Sequence, residues 1–332
     1  MSTAETTTAT AESAAGSVKT VGNEAGTAGS TDTAGAPTAR RRPPAGVLAA
    51  AAWLAAVALA ALLLPLLPGF DPLHGDFAHP SAAPGPGHWL GTDGSGRDIL
   101  QRTVAGARAS FTVAALTVLV GLLGGGTLGL AAGWFRGPVD KAIGFATDLL
   151  MSVPSLILVM IVVSMRGPGL TVIGGLIGLF TVPHFTRVVR AVVLSLAERG
   201  FVQAARMIGT APLRILRREI VPHVLPIALT FAFTATTVAI VAEGSLSFLG
   251  FGLRPPEPSW GGIIAEGRTT LGSAPWISLA PAAVLCLTVL ALNYLGEHLR
   301  SGAPAAARPA ATKLTVTKPA AAKPTATKGA RG

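Results

Sequence analysis

The sequence predicts an all-α, polytopic membrane protein with six transmembrane helices. Three observations predict it. Half of the 332 residues are hydrophobic and only 13% are charged, with a mean hydropathy of +0.56. A water-soluble chain of this size carries far more charge. Six apolar stretches are each long enough to cross a bilayer core, for which about 20 residues suffice. Between the fourth and fifth lies a polar connection, residues 199–226, that reads as structured rather than as a plain link.

In chain order, residues 1–43 are rich in Ala, Thr, Gly and Ser and close on Arg40, Arg41 and Arg42. They offer too few large apolar side chains to bury a core, so a disordered tail is predicted. The first span, 45–67, contains no charge. A cleaved signal peptide or a twin-arginine export signal is the competing reading, but the apolar run is too long and starts too far from Met1. Residues 68–106 form a polar, proline-rich loop ending in HWLGTDGSGRDILQR. Ser95 and Asp98 have the spacing of a capping box, which predicts a helix starting near Gly96.

The second span, 109–134, places Gly121, Gly125, Gly129 and Gly133 every four residues on one helix face. Such a stripe permits close approach of two membrane helices; a flexible gating helix is the other reading. A short polar turn at 136–141 precedes the third span, 143–165, which holds Asp148 at its start and Pro154 within, predicting a kink. Residues 166–169 are a tight turn. The fourth span ends in VPHFTRVVR and leads into 199–226. The fifth span covers 225–250 and the sixth 276–296, with a loop carrying RPPEPSWGGIIAEGR between them. The membrane-spanning body is thus 44–301, with a basic low-complexity tail over 302–332. In that tail Lys313, Lys318, Lys323 and Lys328 recur every five residues. Contact with anionic lipid or nucleic acid is one reading of the tail; plain solvated disorder is preferred, and no nucleic-acid partner is expected despite the net charge of +10.

Within 199–226, Phe201, Ala205 and Ile208 fall on one face of a first short helix. Gly209 breaks it, Thr210 is placed to cap a second helix, and Pro212 sits in that helix's first turn. Leu213, Leu216 and Ile220 form an apolar stripe, and Arg214, Arg217 and Arg218 a basic one. Pro222 and Pro226 end the segment. Two short helices joined at a glycine suggest a docking element, with the small Ala204 and Ala205 allowing close approach. A basic linker lying on the lipid surface is the bland alternative.

Six spans with the N-terminus inside leave only Arg97, Arg102, Arg108, Arg166, Arg254 and Arg268 outside, of 26 basic residues. The connection 199–226 and both termini are then cytoplasmic. Glu243 is an acid well inside the fifth span. It lines a translocation path or pairs across a subunit interface, or else it is satisfied locally by Ser245 and nearby backbone. No GxxxxGK[ST] phosphate loop and no HExxH occur in the sequence. The histidines lack metal-ligand spacing, and the single Cys286 excludes an internal disulfide.

The connection resembles the coupling loop of ABC-transporter permeases, whose pattern is E-A-A, three residues, Gly, then a proline-bounded end. Gln203-Ala204-Ala205, Gly209 and the His223-Val224-Leu225-Pro226 ending match it, with Gln203 where the family most often has Glu. Gly91, Thr92, Asp93, Gly96, Arg97 and Asp98 match the G-T-D-x-x-G-R-D segment of dipeptide, oligopeptide and nickel permeases. The SLSFLGFG run at 245–252 and the PSWG at 258–261 resemble the same group. The resemblance covers roughly residues 89–300. It implies a C-type permease subunit in the cell membrane that translocates peptides, nickel or related solutes delivered by an extracytoplasmic binding protein. It further implies a heterodimer with a homologous permease and two ATPase subunits docked on the coupling loop. ATP is bound by those subunits, and no cofactor is expected on this chain. An ion-coupled secondary transporter is the rival reading; it wants intramembrane charges or broken helices in symmetric halves, and little of either is present. A membrane anchor for the basic tail is the third reading, and it needs no glycine-hinged loop.

Overall fold

A computed structural model describes residues 44–302. Among them all regular structure is helical, apart from two isolated β-bridges in the loop after the first helix. The expectations for 1–43 and for the tail beyond Gly302 lie outside the described residues. Five helices are long and apolar enough to cross a membrane, and a bent pair supplies a sixth.

α1, Ala45–Leu63, is apolar on every face and buries only Ala61, as expected of a helix surrounded mostly by lipid. Its Trp53 indole donates to Thr288 Oγ1 at 3.2 Å, tying it to the last helix. α2, Ile99–Val120, passes through a π-helical segment, Gly121–Gly125, into α3, Gly126–Phe135. The expected start near Gly96 is corrected to Ile99. Asp98 is the N-cap, its carboxylate accepting from Gln101 N at 3.0 Å. Ser95 cannot cap because it belongs to a tight turn closed around Asp93.

α4, Gly137–Ser152, and α5, Ser155–Arg166, meet at a 75° bend. The kink expected at Pro154 is therefore a full break, with Val153 and Pro154 extended. The polar turn expected at 136–141 is short, since α4 already starts at Gly137.

α6, Leu170–Ala197, is the central helix. The stripe on α2–α3 lies directly against it. A Cβ on Gly125 would stand 2.4 Å from Val182 O and 2.5 Å from Phe185 Cβ. One on Gly129 would stand 2.7 Å from Thr186 O, and one on Gly133 2.7 Å from Val193 Cβ. α6 answers with its own Gly174 and Gly178, where added Cβ atoms would press on Leu116 and Val120 of α2. The two helices approach so closely that only glycine fits, which is the packing reading of the stripe.

α7, Gly200–Met207, and α8, Pro212–Ile215, form the connection. α8 runs through a second π segment, Leu216–Ile220, into α9, Val221–Phe248. Pro222, Leu225 and Pro226 therefore do not end the connection. Pro222 comes just after the π segment, within the continuous helical run Pro212–Phe248. Pro226 lies inside α9, as membrane helices tolerate. The stretch read as a loop between the last two spans holds a further helix, α10, Trp260–Gly267, before α11, Trp276–Gly302.

Gly125→Leu should lower thermal stability in detergent by about 1–3 kcal/mol through overpacking against α6. Gly126→Ala, at a position with nothing within 4 Å of the added Cβ, should leave it unchanged or slightly raised. Equal melting of the two variants would contradict the packing role of the stripe.

Candidate functional site

Two regions carry the sequence-predicted site residues, and they lie in different loops of the helical scaffold. The first is the connection after α6. α7 ends in a Schellman motif: Gly209 N donates to Arg206 O at 3.0 Å and Thr210 N to Ala205 O at 3.1 Å. The motif requires a left-handed residue, and Gly209 supplies it with φ +78°. Thr210 is thus consumed in ending α7 and does not cap α8. The N-cap of α8 is Ala211, with no side-chain bond, and Pro212 takes the first turn as expected.

The faces of α7 are the reverse of the simple apolar pattern. Its buried anchor is Val202, at 0% exposure, whereas Met207 and Ile208 are both 82% exposed. Phe201 stacks on His223 at 5.8 Å between ring centroids, and the Arg206 guanidinium lies 4.8 Å over the Trp134 ring. These contacts seat α7 on the scaffold. Gln203 and Ala204 are exposed, and the Gln203 amide donates to Glu198 O at 3.2 Å. The outward surface is therefore Gln203, Ala204, Met207, Ile208 and Leu213. Behind it, Leu216, Ile220, Val224 and Ala228 join Val189, Val193 and Leu196 of α6 in one cluster. Ile215 is also buried, while Leu213, expected in the buried stripe, is 62% exposed. Leu213, Arg214, Arg217 and Arg218 line an open basic cleft of about 450 Å³.

The second region is the loop from Gly91 to Asp98. Asp93 is its hub. Its Oδ1 accepts from Ser95 N at 2.8 Å and Arg97 N at 2.9 Å, and its Oδ2 from Arg97 Nε at 2.7 Å. Oδ2 also receives Arg102 Nη1. Arg102 is 1% exposed, and its Nη2 reaches Glu266 of α10 at 2.9 Å. Asp93, Arg97, Arg102 and Glu266 are two acids and two bases, so the buried charge balances. Thr92 Oγ1 donates to His79 O at 2.6 Å and accepts from Ala82 N at 2.7 Å. The Trp276 indole donates to Thr92 O at 3.3 Å. Asp98 pairs its second oxygen with His88 Nδ1 at 3.0 Å. Gly96 holds φ +76°, and an added Cβ would lie 1.9 Å from Asp76 O. Every residue of the motif is spent on folding the loop and fixing it to α2 and α10. In the same loop the Asp71 carboxyl is held below the ordinary carboxylate range, chiefly by the His74 N–H. Asp76 is lowered chiefly by its bond to the His79 ring.

Glu243 belongs to neither region and does not face an open surface of this chain. It is 2% exposed. Its carboxylate accepts from Ser110 Oγ at 2.9 Å and Ser247 Oγ at 2.8 Å. Ser247 Oγ lies 3.2 Å from Ser259 Oγ, which caps α10 through Gly262 N. Ser245 is not a partner; its hydroxyl donates to Val241 O. Within this chain the Glu243 carboxylate thus joins α2 and α9, and through Ser247 and Ser259 it reaches the start of α10. Sequence reasoning missed Ser110, Ser247, Ser259, Arg102 and Glu266, because their spacing carries no period. Among the described residues no group of three or more His, Cys, Asp or Glu side chains could hold a metal ion.

Arg102→Met removes the buried partner of Asp93 and Glu266, leaving both acids to Arg97, and should cost about 3 kcal/mol. Arg97→Ala leaves the Arg102 bridge in place and should cost less. Thermal unfolding in detergent and protease sensitivity of the loop between α1 and α2 check the order; a more damaging Arg97→Ala would refute it.

Residues 125–302 match the family described as "Binding-protein-dependent transport system inner membrane component". The chain is 36% identical over 225 residues to the glutathione transport system permease protein GsiD of Pectobacterium atrosepticum, covering 68% of this chain and 75% of that one. It is 36% identical over 266 residues to the oligopeptide transport system permease protein OppC of Mycobacterium tuberculosis, covering 76% and 91%. Among solved structures it is similar to the MetNI methionine ABC transporter in an inward-facing conformation. There the TM-score is 0.51 at 16% identity, over 62% of this chain and 98% of that one, a likeness of fold alone. Multiple apolar helices, the helical fold and these relatives agree: the chain belongs to the binding-protein-dependent transport system inner membrane components and is a permease subunit of an ABC importer.

Proposed function

We infer that this permease is the C-type subunit of a peptide importer, and that the face of α7 is where an ATPase subunit docks. The supporting observation is the exposure of Met207, Ile208 and Leu213 beside Gln203 and Ala204 at the end of a Schellman-capped helix. Large apolar side chains in a polar inter-span connection want a protein partner. In the family, energy is supplied by separate ATPases, and this chain's sequence lacks a phosphate loop of its own. ATP therefore binds on the partners, and this chain carries no cofactor.

The substrates named for the two relatives are glutathione and oligopeptides. Short peptides are accordingly the proposed cargo, ahead of nickel complexes, and an extracytoplasmic binding protein delivers them. The second permease is a homologue rather than a copy of this chain. Placing residues 199–226 and both termini in the cytoplasm satisfies the bias of Lys and Arg in the short connections. On this reading 44–301 is the permease domain, and 1–43 and 302–332 are cytoplasmic tails.

Gly209→Asp tests the docking. It forces a Cβ into a left-handed backbone position and adds a charge to the docking face, where an unpaired buried charge costs several kcal/mol. Gly209→Asn is the control, since Asn tolerates the left-handed conformation best among neutral side chains. Co-purification of the ATPase and ATP hydrolysis stimulated by loaded binding protein should both fall for Asp. Both should be largely kept for Asn. Full ATPase retention in Gly209→Asp, at normal membrane levels, would remove the docking assignment.

A further inference from the structure

α4 is a span segment with almost no apolar seat. Of its residues only Thr147 is buried. α6 beside it is packed along its length against α2–α3. Leu150 of α4 packs, partly buried, on the main core, and the side-chain polar ties between α4 and α6 are ion pairs. Arg190 grips Asp140 with both arms, Nε to Oδ1 at 2.5 Å and Nη2 to Oδ2 at 2.7 Å. Arg187, one turn earlier on α6, reaches Asp148 at 2.7 Å. A third pair, Arg136 to Glu198 at 3.1 Å, ties the α3–α4 corner to the C-cap of α6. On α6 positions 187, 190 and 198 fall within about 80° of arc, so all three pairs lie along one side of that helix.

The pairs are unequal. Arg187–Asp148 and Arg136–Glu198 are exposed, and such pairs contribute little singly. Arg190–Asp140 is bidentate, and its acid side chain is only 23% exposed. That geometry fixes orientation as well as distance. Asp140 also sits in the first turn of α4, where a negative charge suits the helix dipole. The dipole alone would not require Arg190 to face it with two nitrogens.

We propose that Asp140 and Arg190 are positioning residues of the transport cycle: they clamp α4 to α6, so that a displacement of α7 moves α3, α4 and α6 as one body. α6 leads into α7 through Glu198 and Arg199, and Arg206 of α7 lies over Trp134 of α3, so a push on α7 reaches α3 and α6 directly, besides α9 through His223. Without the clamp α4 would be free to lag behind, because its apolar contacts are too few to carry it. The 75° break after α4 is then the place where that body's motion meets α5. The proposal rests on α7 being the ATPase contact.

The test uses the assembled complex with its ATPase subunits and Cys286 replaced by Ser. Spin labels go on Ala146→Cys of α4 and Ser195→Cys of α6, both exposed positions. In the native background their separation should be narrowly distributed and the same with and without ATP. Asp140→Asn combined with Asp148→Asn should broaden the distribution and give it a nucleotide-dependent shift of roughly 2 Å or more. Exchanging the charges, Asp140→Arg with Arg190→Asp, should narrow it again. A native separation that itself changes on ATP binding overturns the proposal. So does a double variant that stays narrow, or a charge exchange that restores nothing. ATPase co-purification is read in the same samples. Its absence from the native complex would count against docking at α7, whereas the nucleotide-free distribution still reports on the clamp.

Discussion

The contact on which the rest of this structure depends is the glycine-lined approach of α2–α3 to α6. Lipid is as apolar as a leucine side chain, so burying hydrophobic surface does little to hold membrane helices together. What remains is dispersion between closely fitted surfaces, and that falls away steeply with distance. Gly121, Gly125, Gly129 and Gly133 bring the backbone of one helix onto Val182, Phe185, Thr186, Val189 and Val193 of the other. Gly174 and Gly178 do the same in return. α6 is thereby fixed over most of its length. The connection that begins at Arg199 is then delivered at a defined place, with Ile220, Val224 and Ala228 packed in one cluster with Val189, Val193 and Leu196 of α6.

Polar groups do the remaining work where apolar contact cannot discriminate. In the loop after α1, Asp93 and Arg102 exchange solvation for each other and for Glu266. Deeper in the bundle, Glu243 is held by Ser110 and Ser247, and the chain of hydroxyls continues to Ser259. Removing water from a carboxylate is expensive unless its acceptors are filled. Such networks therefore specify one arrangement of α2, α9 and α10 among several that greasy helices would accept. α10 needs that help. It is short, and its Gly261 lies so near Gly244 that a Cβ would be 2.5 Å from the Gly244 Cα.

Much of the fold was legible in the sequence, for identifiable reasons. The spans are mostly long apolar runs, and the stripe of glycines has a helical period that residue order alone exposes. Gly209 was legible as a breaker because glycine is the usual residue at a left-handed helix end. Other features were hidden. Pro222 and Pro226 read as stops, but both lie within the continuous helical run Pro212–Phe248. The face of α7 was misassigned because Phe201 and Ile208 are apolar, yet the burial falls on Val202. Periodicity cannot tell an exposed apolar side chain from one in a core. Glu243 and Ser110 are 133 residues apart, and Arg102 and Glu266 164; pairings at that separation leave no local pattern.

The central claim is that the outward face of α7 contacts an ATPase. A photoreactive benzoylphenylalanine at Ile208, in membranes containing the whole complex, measures that proximity without disturbing Val202 or the Schellman end. The same group at Leu290, exposed on α11, is the reference. Irradiation should give an ATPase adduct from position 208 and none from position 290. An adduct yield at 208 no greater than at 290, from a complex that still hydrolyses ATP in response to loaded binding protein, would contradict the account.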